Sequence, residues 1–128
     1  DVYKRQIMMG EKDESMSIER CEWLKDKLEQ HEVAVDLKVY PGAAHGWEQP
    51  YPMKFSPDAA VTRDCIMLWT TTGENIETTT GHSIDSMLGA IRAFSTCAGK
   101  GYTQDRHEPT MEASWKDFHQ FLTHSWTN

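Results

Sequence analysis

Two short loops carry an acid and a base: Asp13 in Gly10-Glu11-Lys12-Asp13-Glu14-Ser15, and His45 in Tyr40-Pro41-Gly42-Ala43-Ala44-His45-Gly46-Trp47. Attack on an acyl carbon at neutral pH needs a nucleophile, an imidazole to take its proton, and a carboxylate to fix the imidazole tautomer. Asp13 and His45 are the residue types for the last two roles. Gly42 and Gly46 beside His45 suit a tight turn that presents the ring. Glu11 and Glu14 are fallback acids. The plainer alternative is a solvated carboxylate next to Lys12 and a surface histidine. Trp47 reads equally as a wall beside the histidine or as core packing.

The chain between the loops has the right make-up to bring them together. Ile7-Met8-Met9 is an apolar run ending at Gly10, which predicts a strand followed by a loop. Ser17 can cap a helix, because its hydroxyl can accept from a free N–H of the first turn. Ile18, Cys21, Leu24 and Leu28 then recur at helical spacing and mark one apolar stripe. Val33, Val35, Leu37 and Val39 alternate with Ala34, Asp36, Lys38 and Tyr40, the period of a strand with one polar face, near a sheet edge. Strand, helix, strand with a crossover of this length implies parallel strands and a right-handed connection. Both loops then leave the carboxyl edge of the sheet, where open α/β sheets place their sites.

The remainder is less regular. Residues 48–64, with Pro50, Pro52 and Pro57 among Trp47, Tyr51 and Phe55, predict an irregular aromatic loop. Cys65–Trp69 and Asn75–Thr80, joined across Gly73, predict a hairpin. Ile84, Met87, Leu88, Ile91 and Phe94 predict a helix capped by Ser83 or His82, followed by a loop with Gly99 and Gly101. Met111, Trp115, Phe118 and Leu122 mark a last amphipathic helix, with Pro109 suited to its first turn.

"MGEKDE", a helix bearing Cys21, and "VYPGAAHGW" together resemble the dienelactone hydrolase family, closely over residues 7–47, weakly over 48–108, and again loosely at the last helix. The resemblance implies an α/β-hydrolase fold of which this chain is the C-terminal part: the last parallel strands with flanking helices, a hairpin and a final helix. It also implies cleavage of esters or lactones by a triad. The family's Asp and His fall on Asp13 and His45, with Trp47 and Tyr51 of the following segment bordering the substrate pocket. The family's nucleophile, a Cys or Ser on a sharp strand-to-helix turn, precedes the acid. No Gly-x-Ser-x-Gly or Gly-x-Cys-x-Gly occurs here, and Cys21 sits on a helix stripe after the acid, where a core role is expected. The expectation is therefore a chain inactive by itself, with the nucleophile encoded upstream. A serine peptidase of the prolyl oligopeptidase type, a carboxylesterase, and a non-catalytic binding relative share these two loops and stay open. Exported family members often carry a Cys opening this hairpin and another closing the helix before a Gly-rich loop. Cys65 and Cys97 thus read either as a disulfide, which would favour a periplasmic or secreted setting, or as two buried thiols.

Composition excludes several other classes. The 128 residues hold 13 Lys+Arg against 20 Asp+Glu, a net charge of −7, which disfavours nucleic acid and anionic membrane surfaces. Hydrophobic residues at 38% suffice for a packed core, and no apolar run approaches the roughly 20 residues of a membrane helix. His82, His107, His119 and His124 form no His-Glu-x-x-His, no Cys-x-x-Cys occurs, and no Gly-x-Gly-x-x-Gly or phosphate loop is present. No metal or cofactor is expected, the partner being a small ester or lactone. Asp1-Val2-Tyr3-Lys4-Arg5-Gln6 matches the in-frame translation of a transposon adapter used for sequencing libraries, so residues 7–128 are taken as the native part of one domain.

Overall fold

In the computed structural model, which describes residues 4–126, strand β1 (Lys4–Gly10), helix α1 (Ile18–Glu29) and strand β2 (Ala34–Tyr40) follow one another as the sequence predicts. β1 and β2 pair in parallel from Lys4↔Ala34 to Gly10↔Tyr40. β1 thus begins three residues before the apolar run. Backbone pairing does not require apolar side chains, and Gln6 Nε2 adds a 2.9 Å hydrogen bond to Asp36 Oδ2 across the pair. Lys4–Gln6 of the adapter-like segment are strand; Asp1–Tyr3 lie outside the described residues.

Side chains alternate across a strand, and the two faces of this pair carry different helices. On one, Met9 Sδ meets Cys21 Sγ of α1 at 3.4 Å. On the other, Gln6 donates to the Asp117 carbonyl at 3.4 Å, and Tyr40 Oη donates to Asp117 Oδ2 at 2.9 Å. Asp117 belongs to α3 (Glu108–Trp126), which packs on β1. The polar face of β2 is therefore covered, through hydrogen bonds, and the result is three layers: α1, the strand pair, α3. Burial first, then the Asp117 carboxylate, pushes the Tyr40 hydroxyl's pKa up, which keeps it a donor. Ser17 caps α1, accepting from Arg20 N at 3.4 Å. The α1 stripe is only half covered, and Leu24 is exposed. Two strands are too narrow a platform for a full helix stripe, and among the described residues β1 has no neighbour on its second edge.

The chain divides into two compact units. One comprises residues 4–56 and 102–126 of those described, the other Pro57–Gly101. Strands β3 (Lys54–Val61) and β6 (Gly99–Gln104) pair with each other in a two-stranded sheet. Both stretches were expected to be loops. Pro57 and the glycines of β6 mask them in sequence, yet a two-stranded ribbon tolerates Pro where its missing N–H is not called on.

In the second unit, β4 (Met67–Trp69) pairs antiparallel with β5 (Asn75–Glu77), the expected hairpin in shorter form. α2 (Met87–Cys97) starts later than expected and is capped by Ser86, whose hydroxyl accepts from Gly89 N at 3.1 Å. Ser83 and Ile84 serve the hairpin instead: Ser83 bridges Ile76, and Ile84 N donates to the Asn75 carbonyl at 2.9 Å. Cys65 and Cys97 are joined by a disulfide with Cα atoms 5.0 Å apart. Glu77 is fully buried, and its carboxylate accepts from Thr79 N, Thr80 N and Thr80 Oγ1 at 3.1, 2.8 and 2.9 Å.

Candidate active site

The two loops after β1 and β2 are stitched to each other by backbone. Glu11 N donates to the Tyr40 carbonyl at 3.0 Å and Lys12 N to the Ala43 carbonyl at 2.8 Å. Glu11, a fallback acid in sequence, accepts from Gly42 N at 2.9 Å and so serves the loop itself. Glu14, the other, accepts from Thr103 N at 2.9 Å. Gly10 permits this approach: a Cβ there would lie 2.5 Å from the Ala43 carbonyl oxygen. Gly46, at φ +68°, turns the chain immediately after His45 in a conformation glycine adopts without cost.

His45 Nδ1 lies 2.8 Å from Asp13 Oδ2. The Asp13 carboxylate is 5% exposed and the His45 ring 36%, so the acid is shielded while the ring keeps an open side. Asp13 Oδ1 accepts three further hydrogen bonds, from Ser15 N at 2.8 Å, Ser15 Oγ at 2.8 Å and Met16 N at 3.0 Å. Burial by itself would raise the Asp13 pKa, but the hydrogen bonds from His45 and Ser15 and the nearby ring outweigh it and hold the pKa below the usual carboxylate value. An ionised carboxylate only accepts, so Nδ1 carries the proton and Nε2 of the neutral ring has its lone pair free.

The ring is fixed from outside the loops as well. Tyr102 stands edge-on to it, with centroids 5.0 Å apart and planes at 83°. Asp105 N donates to the His45 carbonyl at 3.3 Å, and His107 N to the Trp47 carbonyl at 3.1 Å. Ser15 and Tyr102 were not singled out in sequence. An Asp two residues before a Ser in a loop is a recognisable turn signal; nothing local announces Tyr102, which arrives through β6.

Asp13, His45 and Trp47 border one cavity of about 370 Å³, together with Met9, Met16 and Cys21. Trp47 both faces that cavity and packs inward, donating from Nε1 to Ser114 Oγ at 3.2 Å and tilting against Tyr40 at 5.7 Å. Tyr51 is exposed and borders a separate depression with Met53, Lys54 and Gln104. Cys21 lines the cavity, but burial first, then Asp13 and Glu22, pushes its thiol pKa up, the wrong direction for a thiolate nucleophile. No group of three or more metal-ligating side chains occurs among the described residues, and no described helix is long and apolar enough to cross a membrane.

The dienelactone hydrolase family is matched over residues 5–72, just over half of the chain and including both loops. No curated protein and no solved structure matches.

Proposed function

Because this chain belongs to the dienelactone hydrolase family, a family of α/β hydrolases, we propose that Asp13 and His45 are the acid and base of a triad that cleaves ester or lactone bonds. The observation that carries this is the 2.8 Å contact between Asp13 Oδ2 and His45 Nδ1, made by a shielded carboxylate and a partly exposed ring. In such a triad Nε2 takes the proton of the attacking group and later delivers it to the leaving oxygen. Asp13 meanwhile holds the tautomer and stabilises the imidazolium. Trp47 forms one wall of the substrate pocket, while Tyr51 borders the neighbouring depression.

The attacking group, in this reading, is a Cys or Ser encoded upstream of Ile7. Ser15 is on the Nδ1 side of the ring, where it cannot be activated by Nε2. Cys21 lies on a helix with a raised thiol pKa. The oxyanion hole would belong to the same upstream segment.

Hydrolysis of an aryl ester by the 128-residue chain, compared with the same frame extended upstream, tests this division. The chain alone is expected to show no turnover above background. Turnover should arise with an added strand ending in Gly-x-Cys-x-Gly or Gly-x-Ser-x-Gly, and should vanish when its central residue is changed to Ala. Activity of the 128-residue chain, or none with such an extension, overturns the proposal.

A further inference from the structure

Ser15 contacts both members of the Asp13–His45 pair. Its Oγ is 2.8 Å from Asp13 Oδ1 and 2.7 Å from His45 Nδ1, and the residue is only 9% exposed. Proton bookkeeping among these atoms has one solution. Asp13 Oδ2 cannot donate, so Nδ1 must. The Ser15 hydroxyl hydrogen then cannot point at Nδ1 and goes to Asp13 Oδ1, which leaves a serine lone pair facing the Nδ1–H.

We propose that Ser15 is a positioning residue for the acid–base pair, locking the Asp13 carboxylate rotamer through Oδ1 and giving the Nδ1–H of His45 a second acceptor. The proposal rests on the Asp13–His45 reading above and deepens it. The two contacts act in one direction. With Oδ1 pinned by Ser15 N, Ser15 Oγ and Met16 N, the carboxylate cannot rotate away, and Oδ2 stays aimed at the ring. The imidazolium formed during catalysis would keep the same partners on this side, so no group here need reorient when Nε2 gains its proton. A serine that merely filled space would need neither a hydroxyl hydrogen on Asp13 nor a lone pair on His45.

The test is the imidazole tautomer of His45, read from two-bond ¹⁵N–¹H correlations of the 128-residue chain at a pH where the ring is neutral. Wild type is expected to show the Nδ1–H form in excess. Ser15→Ala should lower the ratio of Nδ1–H to Nε2–H by about tenfold, the loss of one hydrogen bond to a charged partner. Ser15→Thr, which keeps the hydroxyl, should restore it. Should the alanine variant lose its folded spectrum, Ser15→Cys against Ser15→Thr makes the same comparison, because a thiol is a weak donor and acceptor. An unchanged ratio in Ser15→Ala, or in Ser15→Cys, overturns the proposal. Asp13→Asn separates the two levels. If it abolishes the Nδ1–H excess while Ser15→Ala does not, Ser15 has no positioning role and the acid–base pair stands. If neither variant alters the ratio, the pair itself is wrong.

Discussion

The two units of the chain keep themselves in order by different means. In the first, the order is local to two loops: backbone hydrogen bonds between residues 10–12 and 40–43, a glycine that lets the loops touch, and a carboxylate with donors on both oxygens. In the second, Pro57–Gly101, a disulfide joins residues 32 apart in sequence and one buried carboxylate closes the turn after the hairpin. Much of the second unit's apolar surface is exposed, including Leu68, Trp69, Met87, Leu88 and Ile91. The parallel strand pair, with a helix on each face, holds the two loops side by side. The hairpin and α2 have little core and depend on a covalent link. Precision in the first unit is therefore expected to survive damage to the second unit's link.

Removing the disulfide separates the units most strongly. Cys65→Ala with Cys97→Ala should lower the stability of the second unit by about 3–4 kcal/mol, the size expected for closing a loop of this length. Amide hydrogen exchange should accelerate across α2 and the hairpin, while the His45 ring signals hold. Loss of the His45 signals would erase the contrast.

Gly10→Ala attacks the other side. A Cβ 2.5 Å from the Ala43 carbonyl oxygen forces the two loops apart, at a cost of about 1–3 kcal/mol. Thermal unfolding of the first unit and the His45 tautomer ratio should both change, and exchange within the second unit should not. An unaltered melting curve would show that the approach of the loops is not constrained as described.

The smallest effect concerns acid. Burial by itself would raise the Glu77 pKa, but the N–H groups of Thr79 and Thr80 and the Thr80 hydroxyl bring it down to about 2. A carboxylate with a depressed folded pKa contributes stability that is complete above its unfolded value, about 4.3. That contribution is lost as pH falls toward 2. Exchange at the Thr79 and Thr80 amides should therefore accelerate in that window, and Glu77→Gln should flatten the dependence. Equal pH dependence in the variant would remove Glu77 from this role.

Much of the first unit was legible in sequence because its signals are local. The Val33–Val39 alternation, the Ser17 cap and the glycines around His45 each act within a few residues, and β1, α1 and β2 follow them closely. What escaped depends on partners far along the chain. β3 and β6 form because they find each other, despite Pro57, Gly99 and Gly101. Tyr102 meets His45 from a stretch 57 residues further along the chain, which is bridged to His45 at Gln104. The late start of α2 follows from Ile84 being claimed by Asn75. Ser15 was within reach of a local reading, since its position after Asp13 is a turn signal, but its contact with His45 depends on the loops meeting.

The central claim is that Asp13 and His45 work as one acid–base unit. Its most direct test is ester turnover by the upstream-extended chain carrying Asp13→Asn or His45→Ala, with amide spectra confirming the fold. Each variant is expected to lose about 10³–10⁴ in kcat, and the double variant little more than the worse single one, because the two act as a unit. Turnover within a few-fold of the unsubstituted protein in either single variant would contradict the claim.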